Sequence, residues 1–80
     1  MTRNEFIAKI ENGRDILFTV AGKGFTILTW PAEGIAIGDW SRPNEKPQFF
    51  QPAQELVDNF TVHDVPLKDL IHGLVITEYS

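Results

Sequence analysis

Three short apolar runs, parted by two glycine-bearing turns, constrain this chain more than anything else in it. The runs are Asp15-Ile16-Leu17-Phe18-Thr19-Val20, Phe25-Thr26-Ile27-Leu28-Thr29-Trp30 and Ile35-Ala36-Ile37-Gly38-Asp39-Trp40. Their side chains alternate at the period of a β-strand. Antiparallel strands can be joined by tight turns, whereas parallel neighbours need a long crossover. The pattern therefore predicts an antiparallel meander.

The faces follow from the alternation. Ile16, Phe18 and Val20 share one face, while Leu17, Thr19 and Ala21 share the other. The first turn, Ala21-Gly22-Lys23-Gly24, admits a two-residue loop at Ala21-Gly22 or at Gly22-Lys23. Gly22 in the first loop position suits a type II′ turn, and Ala21 tolerates positive φ poorly. Either choice puts Phe25 and Ile27 beside Phe18, on what we call face A. The second turn is Pro31-Ala32-Glu33-Gly34. As a four-residue loop, with proline at its fixed φ and glycine at positive φ, it sends Ile35 and Ile37 to face B with Leu28 and Trp30. A three-residue loop with a bulge sends both to face A, because a one-residue slip reverses every side chain. Both registers remain open at this stage.

Helical spacing flanks the strands. Thr2-Arg3-Asn4-Glu5 reads as a capping box, Phe6, Ile7 and Ile10 share a face, and Gly13 is a natural stop, so a helix is predicted over 3–12. Residues 41–47 form a polar loop, with Pro43 and Pro47 opposing regular pairing. Phe49 and Phe50 mark a short edge strand. Ala53, Leu56, Val57 and Phe60 predict a helix to Asn59, opened by Pro52. Residues 61–64 read as a connector. Leu67, Leu70, Ile71 and Leu74 predict a second short helix that Gly73 ends, and 75–79 a final strand. The expected architecture is a single α+β domain over 1–80: N-terminal helix, antiparallel meander of three to four strands, two short helices, C-terminal strand.

Composition narrows the function classes. There is no cysteine, which rules out disulfides and thiolate metal sites and suits a cytoplasmic protein. No apolar stretch approaches the roughly 20 residues of a bilayer span, and the first five residues do not resemble a secretory signal. The net charge is -4, and the seven basic residues are scattered along the chain: Arg3, Lys9, Arg14, Lys23, Arg42, Lys46 and Lys68. A nucleic-acid partner, which needs a basic stripe, is not expected.

The layout resembles a group of small bacterial α+β proteins of about this length that have no assigned activity. The likeness rests on the amphipathic first helix, the glycine-lysine hairpin, the helix Gln54-Glu55-Leu56-Val57-Asp58-Asn59-Phe60 and the stretch Pro66-Leu67-Lys68-Asp69-Leu70-Ile71. The resemblance implies a cytoplasmic accessory protein without catalytic residues or cofactors.

Candidate chemistry is thin. His63, Asp64 and His72 form the only histidine-containing group, but nine residues between histidines is not a ligand spacing, and a metal needs three or four converging donors. His72 also suits a helix C-terminus as a partner for its dipole. Ser41 and Ser80 lack a nucleophile elbow. Gly22-Lys23-Gly24 joins two strands and so reads as a hairpin rather than a phosphate loop. Asp39 and Glu78 read as solvated strand charges.

Trp30 and Trp40 end two strands near the sheet rims. With Leu17, Leu28 and Ile37 they make face B more apolar than a solvated sheet face should be. Helices covering both faces would explain the surplus, and this packing is favoured. Helices confined to face A would instead leave Trp30, Trp40, Leu17, Leu28 and Ile37 as an interaction surface. The expected function is a non-enzymatic protein-interaction or accessory module, with a protein partner or a homodimer. The alternative is a small-molecule or metal-binding protein using His63, Asp64 and His72. A third reading is an acidic regulator occupying another protein's nucleic-acid site.

Overall fold

The computed structural model describes residues 1–13 and 15–80; Arg14, one of the dispersed basic residues, lies outside them. Helix α1 spans Arg3–Glu11. Its capping box is complete: the Glu5 amide donates to Thr2 Oγ1 at 3.1 Å and the Thr2 amide donates to Glu5 Oε1 at 3.0 Å. These bonds satisfy two amides that would otherwise lack helical partners. Phe6 and Ile10 form its buried stripe, and Gly13 at φ +71° turns the chain out.

Strands β1 (Ile16–Val20), β2 (Lys23–Trp30), β3 (Gly34–Asp39) and β4 (Gln48–Phe50) follow as a meander. Helix α2 spans Ala53–Asn59. A small hairpin, β5 (Thr61–Val62) with β6 (Val65–Pro66), stands where a plain connector was expected. Two 3₁₀ turns come next, Leu67–Asp69 and Ile71–Gly73, and β7 (Val75–Tyr79) ends the chain. The main sheet has order β4-β3-β2-β1-β7, with every pair antiparallel. The architecture is α+β. Among the described residues no helix is long and apolar enough to cross a membrane.

The expected third helix is not α-helical. Leu70 sits at φ −112° and ψ 0°, between two tight turns closed by Leu70 N to Leu67 O and Gly73 N to Leu70 O. The two tighter turns, short pieces of the kind 3₁₀ geometry favours, still bury Leu67 and Ile71.

The first hairpin uses the Ala21-Gly22 loop, because Val20 pairs with Lys23. Both loop residues have positive φ, +51° at Ala21 and +78° at Gly22. This is a type I′ turn, whose twist matches that of the strands even with alanine in the first place.

The second hairpin settles the register that the sequence left open, and it overturns the placement of Ile37 on face B. Trp30 pairs with Gly34, so the loop is residues 31–33, and Gly34 at φ +102° begins the return strand. Ile35 and Ile37 therefore join face A, where they are buried, rather than face B. The core explains the choice. This register places Ile37 opposite Ile27, and the longer loop would have turned both isoleucines to solvent.

Face A carries the core: Ile16, Phe18, Val20, Phe25, Ile27, Ile35 and Ile37 pack with Phe6, Ile10, Leu56, Val57, Phe60, Leu67 and Ile71. Three aromatic contacts run through it, Phe6–Phe18 at 5.6 Å, Phe18–Phe25 at 5.5 Å and Phe25–Phe60 at 5.4 Å. The helices are braced by Arg3, whose guanidinium grips Asp58 with two 2.8 Å bonds. Both helices and both 3₁₀ turns thus contribute to the face A core, and the packing with helices on both faces does not occur.

Candidate functional site

Two features outside the core merit chemical attention: the uncovered face B and a polar cleft at one end of the sheet.

Alternation and register put Leu17, Thr19, Gly24, Thr26, Leu28, Trp30, Gly34, Ala36, Gly38, Phe49, Val75 and Glu78 at outward positions. Trp30 is 40% exposed, Phe49 39%, Trp40 46% and Val75 59%, values that large apolar side chains seldom show together in so small a domain. Glu78 is the one charged side chain at an outward strand position among the described residues.

Local packing organises this face. Trp30 and Phe49 meet edge to face at 5.2 Å. Between their strands lies Ala36, flanked by Leu28 and Phe49, and it is only 3% exposed. At the other end the Trp40 indole lies over Gly24, where any Cβ would fall inside its ring. Its Nε1 donates to Thr26 Oγ1 at 2.7 Å. Both tryptophans are thereby held against neighbours on this face, yet each stays well exposed.

Of the surface residues expected from sequence, Leu17, Leu28, Trp30 and Trp40 lie on this face. Ile37 does not: it is 2% exposed in the core. The register slip that moved Ile35 moved Ile37 with it. Sequence reasoning missed Phe49 and Val75. Phe49-Phe50 is a doublet with one ring on each face, and only the pairing of Phe50 with Ile35 reveals which is which.

The cleft is bounded by the ends of β2 and β3, by residues 42–47 and by the β5–β6 turn, and encloses about 430 Å³. Its charged lining comprises Lys23, Asp39, Arg42, Glu45, Lys46 and Asp64, with His63 beside them, and the buried Phe25, Ile37, Phe60 and Val62 stand behind. Lys23 Nζ meets Asp39 Oδ2 at 2.7 Å. The Ser41 amide and hydroxyl both donate to Asp39 Oδ1, at 2.9 and 2.7 Å. Held first by the Lys23 bond and then by those from Ser41, the Asp39 carboxyl is lowered to about 2, against the opposing pull of burial. Asp39 is therefore a paired charge and not the solvated one expected. Arg42 and Glu45 form a looser, exposed pair at 3.6 Å.

His63 and Asp64 form the two-residue β5–β6 turn, at φ +53° and +67°. Both line the cleft, whereas His72, in the second 3₁₀ turn, does not. The expected group of three is therefore not brought together. Among the described residues no set of three or more His, Asp or Glu could hold a metal ion.

No protein-family model, no curated protein and no solved structure matches this chain.

Proposed function

We propose that the chain is a non-enzymatic, cytoplasmic interaction module and that face B is its contact surface, occupied by a second copy of the same chain. The observation that carries this reading is the sidedness of the fold. Every helix packs toward face A, while Trp30, Trp40, Phe49 and Val75 stay exposed on a face with one carboxylate. A face with a single carboxylate, Glu78 on the edge strand β7, can be self-complementary provided the twofold axis keeps the two copies of Glu78 apart. Sheets of this kind pack face to face through apolar side chains.

Size sets the strength. Five strands about 4.8 Å apart and about 17 Å long cover roughly 400 Å² on each copy. Pairing would bury roughly 800 Å² in all, at or below the low end of specific interfaces, so the dimer is weak and concentration-dependent.

Sedimentation velocity over about 5 to 500 μM tests it. Wild type should shift from monomer toward dimer, and a folded Trp30→Ser variant should stay monomeric over most of the range. A wild type that remains monomeric throughout overturns the self-association, and equal dimerisation by the variant moves the contact off face B.

A further inference from the structure

We infer that the polar cleft is a binding site for a small zwitterion, a molecule carrying a carboxylate or phosphate together with an ammonium group. The inference is independent of face B.

Charge balance points to the ligand class. In a chain of net charge -4, folding gathers three of the seven Lys and Arg residues here, Lys23, Arg42 and Lys46. Three carboxylates, Asp39, Glu45 and Asp64, join them. The cleft is thus formally neutral, which favours neither a simple anion nor a simple cation. The charges are also not all spent on one another. Lys23 and Asp39 are locked together, and Arg42 and Glu45 are loosely engaged. Lys46 and Asp64 have no ion-pair partner among the described residues, and they sit on separate loops bounding the cavity. A molecule with separated opposite charges meets both at once, its acid group toward Lys46 and Arg42 and its ammonium toward Asp64.

Two further observations support a built site. A volume of about 430 Å³ lies within the range of small-ligand pockets, roughly 300 to 1,000 Å³. The two-residue turn between β5 and β6 places His63 and Asp64 together at the rim of the cavity. The Lys23–Asp39–Ser41 network, in turn, holds two of the lining side chains, Lys23 and Asp39, in place.

The test is isothermal calorimetry and thermal unfolding with the standard α-amino acids and phosphoethanolamine as probes. Sulfate, acetate and methylammonium serve as single-charge controls. At least one zwitterion should bind and raise the unfolding temperature, while the controls do not. Asp64→Asn keeps a residue that tolerates the left-handed conformation and removes only the charge. That variant and Lys46→Met, each checked for folding by circular dichroism, should weaken binding about tenfold, as expected for loss of a charge-assisted contact. No heat from any probe overturns the inference. So does a single-charge control that binds as tightly as the best zwitterion, or binding undiminished in both variants.

Discussion

Ala21 is the clearest case of a residue at odds with its backbone. At φ +51° its Cβ crowds the following carbonyl, a strain of about 1 kcal/mol that glycine and asparagine largely escape. Ala21→Asn should therefore stabilise the protein by about 0.5–1 kcal/mol in urea unfolding, and an unchanged or lower midpoint would contradict the turn assignment. Asp39 makes a second residue-scale prediction. Its carboxyl is lowered in the folded chain, so its stabilisation is present above the unfolded value near about 3.9 and fades as pH falls toward about 2. Asp39→Asn should cost about 1 kcal/mol near neutral pH, a modest figure because the pair is partly hydrated. The gap from wild type should close in unfolding measurements at about pH 2, although Glu5 and Asp58, also lowered, weaken both proteins there. A gap that persists in acid would mean that packing, not charge, holds Asp39.

Among the elements, β3 shows what a sequence pattern does and does not carry. Alternation in β1 and β2 was legible because Ile16, Phe18, Phe25 and Ile27 fall on one face whichever loop joins the strands, while threonines interrupt the other. In β3 both faces are apolar or small, so Ile35-Ala36-Ile37-Gly38 fits either register, and only the loop length decides. Gly34 is the residue that decides it. A Cβ there would lie 2.9 Å from the Phe50 carbonyl oxygen, and the φ of +102° is left to glycine. Gly34→Ala should destabilise by about 2 kcal/mol or more and loosen β3 from β4, read as faster amide exchange at 48–50 than elsewhere in the sheet. Uniform protection would remove Gly34 from that role. The capping box and α2 were likewise legible, being local, periodic signals. The β5–β6 hairpin was not, since His63-Asp64 is an uncommon pair for a type I′ turn. The cleft escaped too, because its charges come from segments far apart in sequence.

For the whole molecule, sidedness matters most. One face of the sheet is roofed by helices and the other is not, so stability should depend on protein concentration if copies cover each other. Thermal unfolding midpoints should rise by a few degrees from about 5 to 500 μM in wild type and stay flat in Trp30→Ser. A flat wild-type series would leave face B bare in solution. The position of β7 has a consequence of another kind. β1 meets β2 through a tight turn, yet its other flank is closed by β7, whose residues come almost a whole domain later. During synthesis, then, an apolar strand keeps one edge unpaired until β7 has followed it out, and that interval is when β1 is most open to mispairing.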